Sequence, residues 1–397
     1  MAELYIPNSQ RIASTKAEIY VFDDFLNSAE CQHLIDLISK NLRNSELTSL
    51  NEQDKDFRTN KSCDIDELDS SLAVQIDLRM SRILDFDPED SEFMQGQFYG
   101  IGQQFKAHHD SFSEEELLIH SRGLGQRTYT FMVYLNDVEE GGETFFPSLG
   151  LKFSPRKGQA LIWNNLDKES AQNPHSLHQG LPVINGEKFI VTKWFRLKKN
   201  LPKIETSTKY FIKAHTRLGL KKCAAPEELF HEIAANYHAN INKATTEIGS
   251  DHLIVSESKL QSKSEIVPID ESLCEKIKAS LKPLVETWAQ TSLVPTYVYG
   301  IRVYRRGAIL LRHRDRAATH TIGVLINIDQ DVEEDWPLTI EDNDCRDYDI
   351  LLRPGEMLFY EGTRLQHERS RPLRGSRYAN LFCHFTAMNN CTELDRI

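Results

Sequence analysis

The sequence carries an internal repeat in which one spaced set of residues appears in each half. In both copies a tyrosine stands nine positions before the histidine of a His-x-Asp triplet, and a later histidine precedes a basic residue by ten positions. The residues are Tyr99, His108, Asp110, His178 and Lys188 in the first copy, and Tyr304, His313, Asp315, His367 and Arg377 in the second. The intervening segments 128–137 and 319–328 also align, which places Thr130 opposite Thr321. Agreement in order and spacing indicates duplication of one folding unit.

Two histidines and one aspartate in each copy suggest a metal site. Two imidazoles and one carboxylate occupy one face of an ion and leave its other positions open, unlike the closed set of a structural zinc site. This ligand set is typical of non-haem Fe(II) oxygenases, and a cation ten residues after the last histidine suits a dicarboxylate cosubstrate. The expected ligands are His108, Asp110 and His178 in the first copy, and His313, Asp315 and His367 in the second.

The chain has 397 residues, enough for two domains with full cores. Its net charge of −12 argues against general nucleic-acid binding, because such proteins need a basic surface to meet phosphates. The seven cysteines form no CxxC pair, so we expect reduced thiols and a cytoplasmic location. The first residues lack the pattern of a secretory signal, and no apolar run reaches transmembrane length, so no membrane association is expected.

Local patterns predict helices followed by a β-rich run in each half. Helical periodicity is found in 27–42, 70–84, 226–247 and 271–291. Short apolar runs separated by Gly, Pro and Asn turns fill 93–195 and 296–386, which is typical of a jelly roll. A polar, serine-rich loop is expected at 255–266.

These patterns predict an α+β protein with two double-stranded β-helix (jelly-roll) domains in tandem, each with flanking helices. The polar and aperiodic segment 198–209 suggests the boundary, and gives domains at 1–200 and 201–397. Thr130 follows Asp110 by twenty positions in the first domain, whereas Thr321 follows Asp315 by six positions in the second. The longer loop, 111–127, is a candidate substrate lid.

Four ordered segments of the first half carry a family resemblance: YGIGQQFKAHHD, GQRTYTFMVYLNDVEEGGETFFP, PRKGQALIW and SLHQGLPVINGEKFIVTKWF. Together they resemble the prolyl 4-hydroxylase branch of the 2-oxoglutarate- and Fe(II)-dependent dioxygenases over about residues 18–197. The resemblance implies Fe(II), 2-oxoglutarate and O₂ as cofactors, with ascorbate as a candidate reductant. The second half resembles a diverged domain of the same superfamily.

The resemblance also implies residue roles. His108, Asp110 and His178 would bind iron, and Lys188 would bind the distal carboxylate of 2-oxoglutarate. Tyr99 and Thr130 fall where the family has hydroxyls that assist this carboxylate, and Arg127 falls near a family position that touches substrate, so Tyr99 and Arg127 are the candidate catalytic residues. The corresponding cosubstrate residues of the second half are Tyr304, Thr321 and Arg377.

The resemblance favours hydroxylation, with a prolyl residue of a peptide or protein as the leading substrate. Related halogenases replace the metal-binding carboxylate by a small residue, whereas both copies here retain aspartate. A free amino acid or small natural product is the alternative substrate. The second half is either a second oxygenase site or a non-catalytic binding or dimerisation module, and homo-oligomerisation stays open.

Overall fold

The computed structural model describes residues 4–45, 56–120, 124–197, 213–247, 253–256, 263–316 and 318–387. The chain divides into two compact units, which we call unit 1 (residues 1–207) and unit 2 (residues 208–397). Helices within the described ranges are too short or too polar to cross a membrane. The described residues form five α-helices: α1 (Ser28–Lys40), α2 (Ser71–Leu84), α3 (Glu114–His120), α4 (Glu227–Asn240) and α5 (Glu271–Ala289).

Unit 1 is built from antiparallel strands in two main sheets. The strands are β1 (Gln10–Arg11), β2 (Ile19–Phe22), β3 (Arg43–Asn44), β4 (Lys61–Asp64), β5 (Gln95–Tyr99), β6 (Phe105–His108), β7 (Gln126–Tyr134), β8 (Glu140–Gly141), β9 (Thr144–Phe146), β10 (Leu151–Phe153), β11 (Ala160–Asn164), β12 (His178–Gly180), β13 (Val183–Asn185) and β14 (Lys188–Leu197). The major sheet has the order β1-β2-β11-β7-β14-β5-β4-β3, the minor sheet has the order β10-β9-β12-β6, and β8 pairs with β13.

Unit 2 repeats this arrangement with its own strands. They are β15 (Leu220–Ala224), β16 (Thr245–Thr246), β17 (Ile254–Ser256), β18 (Ser264–Val267), β19 (Leu293–Arg305), β20 (Ala308–His313), β21 (Ile322–Val332), β22 (Leu338–Glu341), β23 (Asp347–Ile350), β24 (Glu356–Tyr360), β25 (His367–Arg369) and β26 (Gly375–Ala387). The major sheet is β15-β24-β21-β26-β19-β18-β16 and the minor sheet is β17-β20-β25-β22-β23. The major sheet of unit 1, read from β2 to β3, therefore corresponds strand by strand to the major sheet of unit 2, read from β15 to β16.

Helices cover one face of each major sheet. Asn27 caps α1 and forms a capping box with Glu30, which satisfies backbone donors that the first helical turn leaves free. The helix buries Cys31, Leu34 and Ile38. Ile38 lies so close to β5 that a Cβ at Gly96 would be 2.4 Å from its Cγ1, so the strand needs glycine there.

The alternation of side chains along a strand separates two faces in unit 2. On β26 the buried residues Leu381 and Cys383 pack in a cluster with Ile277 of α5. Tyr378 and Phe382 of the same strand face the opposite side, where they pack against residues of the minor sheet. We call this second face the interior of the jelly roll, because the metal-site residues open onto it.

The fold is thus a mixed α/β structure with many antiparallel strands and few helices, consistent with a jelly roll. Two local predictions were wrong. The predicted loop 255–266 contains the ends of β17 and β18, although 257–262 lie outside the described residues. The predicted lid loop 111–127 contains α3, whose first turn is acidic. The predicted boundary segment 198–209 lies outside the described residues.

Candidate metal centres

The first His-Asp-His set comes together where two strands of the minor sheet end. His108 of β6 pairs directly with His178 of β12, and Asp110 follows β6. The Nε2 atoms of both histidines lie 3.6 Å from the carboxylate oxygens of Asp110. Each Nδ1 is 2.8–3.0 Å from the backbone carbonyl oxygen of the residue two positions earlier, so Nδ1 carries the hydrogen and Nε2 is free to bind a metal.

Charge states at the first centre also suit a metal. Burial lowers the pKa of His178 to about 4, so its imidazole is neutral near pH 7. Burial alone would raise the pKa of Asp110, but His178 and His108 beside it hold the pKa well below its usual range. Two neutral imidazoles and one carboxylate give the donor set that a divalent ion needs. These three residues form one of the two His/Asp groups with metal-ligand spacing in the described chain.

Thr130 contacts the carboxylate of Asp110. Its hydroxyl donates a hydrogen bond of 2.6 Å to Oδ2 of Asp110 and accepts one of 2.8 Å from the side chain of Asn165. The only hydrogen of the hydroxyl is therefore used in the contact with Asp110, and a contact of Thr130 with the cosubstrate carboxylate stays a prediction. Thr130 thus contacts the carboxylate of a predicted metal ligand, and its partner Asn165 was not predicted from the sequence.

Lys188 extends into the interior beside a small cavity of about 40 Å³ that also borders His108, Asp110 and His178. Its side chain is 1% exposed, and Nζ lies 5.0 Å from the ring centre of Tyr99. Burial lowers the pKa of Lys188 from 10.5 to about 7, although the charge of Glu143 opposes this shift. Within the part of the chain that the structure describes, no carboxylate forms a salt bridge with Nζ. This buried amine without an anion fits the carboxylate of a small acid.

Tyr99 borders Lys188 through its ring. Its hydroxyl donates a hydrogen bond of 2.8 Å to Oε1 of Gln97, so this hydrogen is directed away from the predicted cosubstrate contact. On β5, Tyr99 pairs with Lys188 of β14, which places both side chains on the interior face. The structure therefore brings these two predicted cosubstrate residues together, and their roles stay predictions.

Arg127 stands at the rim of a larger cavity of about 490 Å³ that reaches His108 and Asp110. Its Nε and Nη2 atoms each donate a hydrogen bond of 2.6 Å to the carboxylate of Glu92. Its guanidinium also lies over the rings of Phe112 and Trp194, at 4.7 and 4.2 Å from their centres. Arg127 was predicted to lie near substrate, and it lines this cavity. Its contacts with Glu92 and the two aromatic rings were not predicted from the sequence.

The second His-Asp-His set has nearly the same geometry as the first. His313 of β20 pairs with His367 of β25, and their Nε2 atoms lie 4.0 and 3.8 Å from Oδ1 of Asp315. Their ring centres are 4.3 Å apart, against 4.4 Å in the first set. Each Nδ1 again faces the carbonyl oxygen two residues earlier. Burial lowers the pKa of both imidazoles to about 4.

The structure removes Arg377 from the second centre. Its guanidinium pairs with Asp329 and Asp331, and its side chain is 36% exposed. Strand register explains the error. Tyr304 pairs with Tyr378, and Arg377 pairs with Arg305, whereas in unit 1 the lysine itself pairs with the tyrosine. A shift of one residue turns a side chain to the other face of a strand.

The other two cosubstrate candidates of the second half are also placed differently. The ring of Tyr304 packs edge-on against Trp336 at 5.1 Å in the interior of unit 2. The hydroxyl of Thr321 lies 3.4 Å from that of Thr386, rather than on the metal-site carboxylate. Only the metal-ligand part of the repeat therefore keeps the same geometry in both units.

Comparisons with known proteins agree with the first centre. The chain matches the model of the 2OG-Fe(II) oxygenase superfamily over residues 94–196. It is similar to probable prolyl 4-hydroxylase 8 of Arabidopsis thaliana, with 31% identity over 208 residues, 47% of this chain and 71% of the relative. Similarity to prolyl 4-hydroxylase 2 of the same plant is 32% over 215 residues, 48% of this chain and 71% of the relative.

Among solved structures, the chain is similar to the viral collagen prolyl hydroxylase of Paramecium Bursaria Chlorella virus-1 in its 2OG complex, with 28% identity and a TM-score of 0.37. The match covers 45% of this chain and 96% of the viral one. From the matches to the superfamily and to the plant relatives, the chain belongs to the prolyl 4-hydroxylase family and is a 2-oxoglutarate-dependent dioxygenase that uses Fe(II) and O₂.

Proposed function

We propose that unit 1 hydroxylates a prolyl residue in a peptide or protein. His108, Asp110 and His178 are the proposed iron ligands. This proposal rests on one observation: His108 and Asp110 line an accessible cavity, while all three border a smaller cavity beside the buried amine of Lys188. Bound Fe(II) and 2-oxoglutarate would supply the oxidising chemistry: one oxygen atom of O₂ enters succinate as the cosubstrate loses carbon dioxide, and the other is inserted into a prolyl C–H bond. The protein supplies position, charge and the exclusion of water.

Lys188 is the proposed partner of the distal carboxylate of 2-oxoglutarate. Its ammonium would form a charge-assisted hydrogen bond in a site from which water is excluded. The rings of Tyr99 and Tyr134 flank Nζ at 5.0 and 5.6 Å and restrict its position. Thr130 acts one step away from the cosubstrate, because it fixes the orientation of the Asp110 carboxylate.

The larger cavity favours a peptide over a free amino acid. Its volume of about 490 Å³ exceeds what one amino acid fills, and aromatic side chains line it beside the metal-site residues. Phe93 at this cavity is 60% exposed, so an apolar ring is available to a bound partner. A prolyl ring is apolar and would pack against such surfaces. Arg127 then borders the substrate, while Glu92 keeps its guanidinium in place.

We also propose the domain organisation predicted from the repeat, with an oxygenase domain at 1–200 and a second helix-plus-jelly-roll domain at 201–397. Corresponding strand orders and the two similar His-Asp-His sets support this proposal. The alternative for the second domain is a binding or dimerisation module that has retained its metal-site residues.

The test is an oxidation assay of the full chain with Fe(II), 2-oxoglutarate and ascorbate. Candidate substrates are proline-containing peptides, free amino acids and small metabolites, and the readouts are succinate release and a gain of one oxygen atom by mass. We expect oxygen to be added to proline in a peptide. The Asp110→Ala variant is the control and should show no such product. Oxidation of a free amino acid or metabolite, with none in the peptides, would overturn the substrate proposal.

A further inference from the structure

The second His-Asp-His set lacks the basic residue predicted from sequence spacing, Arg377, but the interior of unit 2 contains another buried cation, Arg369. In unit 1 two glycines border the lysine. A Cβ at Gly142 would lie 3.4 Å from Cδ of Lys188, and a Cβ at Gly180 would lie 3.8 Å from its Nζ. A larger side chain at either position would enter the space beside the ammonium.

Strand pairing identifies the position in unit 2 that corresponds to Gly180. In unit 1, Gly180 lies two residues after the second metal-site histidine and pairs with Phe105. In unit 2, Arg369 lies two residues after His367 and pairs with Leu310. Phe105 and Leu310 both stand three residues before the first metal-site histidine. Arg369 therefore occupies the backbone position from which, in unit 1, a side chain would point toward Nζ of Lys188.

Arg369 is buried in an aromatic setting. It is 1% exposed, and its guanidinium lies 4.4 Å from the ring centre of Trp336 and 4.6 Å from that of Tyr378. Nη1 donates to the backbone carbonyl of Trp336. Nη2 is buried and has no hydrogen-bond partner, and the described residues place no carboxylate within salt-bridge distance of this guanidinium. A buried cation in this state is stabilised when an anion binds it.

A second donor in the same interior lacks a partner. On β14, Lys188 lies two residues before Ile190, which pairs with Tyr134. On β26, Asn380 lies two residues before Phe382, which pairs with Leu325, the repeat counterpart of Tyr134. Asn380 therefore occupies the strand position that Lys188 has in unit 1. Asn380 is fully buried, and its Oδ1 accepts a hydrogen bond from Asn327 while its Nδ2 has no partner. The other arginine on this face, Arg302, is already neutralised by two hydrogen bonds to Glu247.

We propose that Arg369 is the carboxylate-binding cation of a second ligand site, at which His313, Asp315 and His367 hold a divalent metal ion. The ligand class is a small 2-oxo dicarboxylic acid, with its oxo-acid end at the metal and its distal carboxylate at Arg369. A guanidinium suits this role because it can hold a carboxylate through two parallel hydrogen bonds. This site is independent of the activity proposed for unit 1.

The experiment uses the full chain with the first centre disabled by Asp110→Ala and Lys188→Ala. Metal per chain is measured after loading with Mn(II), and calorimetry then measures binding of 2-oxoglutarate and of 2-oxopentanoate, which has the same chain length without the distal carboxylate. We expect one metal ion per chain and at least about tenfold tighter binding of 2-oxoglutarate. Equal binding of the two acids, or no binding of either, would overturn the proposal before Arg369 is substituted.

Variants on this background then test the residue itself. Arg369→Gln should retain the metal, bind 2-oxoglutarate about tenfold or more weakly, and lose the preference over 2-oxopentanoate. Arg377→Gln is the matched control and should change neither metal content nor preference. If Arg369→Gln loses the metal, the Arg369→Lys variant is measured in its place. Its charged side chain should preserve the preference for the dicarboxylate. An unchanged preference in Arg369→Gln, or a lost preference in Arg377→Gln, would show that the assignment is wrong.

Discussion

The hydroxyl of Thr130 donates a hydrogen bond of 2.6 Å to Asp110, and thereby links the central strand β7 to a metal-site carboxylate. Asn165 donates to the same hydroxyl, so the orientation of its hydrogen is fixed. A carboxylate fixed in this way loses little conformational freedom when a metal binds. Thr130 is therefore part of the metal site through its effect on Asp110.

Thr130→Val should weaken metal binding by about tenfold, because it retains the shape of the side chain but removes the hydrogen bond to Asp110. Thr130→Ser is the control and should bind metal nearly as the unaltered chain does. The measurement is a metal titration, followed by a 2-oxoglutarate titration at saturating metal. Weaker 2-oxoglutarate binding with unchanged metal affinity would instead support a direct contact between Thr130 and the cosubstrate.

The low pKa of Lys188 predicts how cosubstrate binding depends on pH. The free protein loses the lysine proton near pH 7, whereas a bound carboxylate favours the protonated form. The apparent affinity of unit 1 for 2-oxoglutarate should therefore fall as pH rises above about 7, by up to about tenfold per pH unit. Binding at saturating metal, measured from pH 6.5 to 8.5, checks the slope.

Lys188→Arg is the matched variant, because a guanidinium stays protonated throughout this range. Its 2-oxoglutarate affinity should be nearly independent of pH, and an equal slope in both proteins would contradict the assignment.

The lowered pKa of Lys188 also predicts how the free energy of unfolding depends on pH. Since the folded pKa lies below 10.5, the unfolded chain binds more protons between about pH 7 and 10.5. The contribution of Lys188 to stability should therefore rise with pH in that window.

Glu92 is expected to stabilise unit 1 because it neutralises two arginines at the rim of the cavity. It binds Arg127 and Arg196, and these guanidiniums lower its pKa although burial opposes the shift. Glu92→Gln should lower the free energy of unfolding of unit 1 by about 3 kcal/mol, because both cations lose their carboxylate. Asp64→Asn, which removes the more exposed pair with Arg43, should have a much smaller effect.

Denaturant unfolding followed by fluorescence measures both variants. Equal losses in Glu92→Gln and Asp64→Asn would contradict the importance of burial. The pH dependence has a defined sign: the pKa of Glu92 is depressed in the folded state, so its contribution is present above the unfolded pKa and is lost as pH falls through the folded value.

The sequence was sufficient for the parts of the site that depend on residue spacing. Both His-Asp-His sets were predicted because the same two histidines and aspartate recur in the same order in both halves of the chain. Arg377 was wrong because sequence spacing does not show strand register, and the pairing of β21 with β26 shifts between Asn327 and Asp329. Asn165 and Glu92 carry no local pattern, since their partners lie 35 or more residues away along the chain.

The segment containing α3 is expected to close over bound substrate. Glu116 and His120 of this helix line the cavity, and Gln126 ties the segment to Phe112 through two hydrogen bonds of 2.7 Å. These bonds fix the two ends of the segment, while Ile119 between them is 57% exposed. Because this helix is short and carries an exposed apolar side chain, we expect its amides to exchange rapidly in the free enzyme.

Substrate should slow exchange in 113–120, because closure shields the helix and excludes water from the reacting site. Hydrogen exchange by mass spectrometry, with metal and 2-oxoglutarate present under anaerobic conditions, compares the enzyme with and without a peptide that it hydroxylates. Exchange in α1, which lies away from this cavity, is the internal control and should not change. Protection confined to β6 and β12, with none in α3, would mean that the peptide binds without closure of this segment.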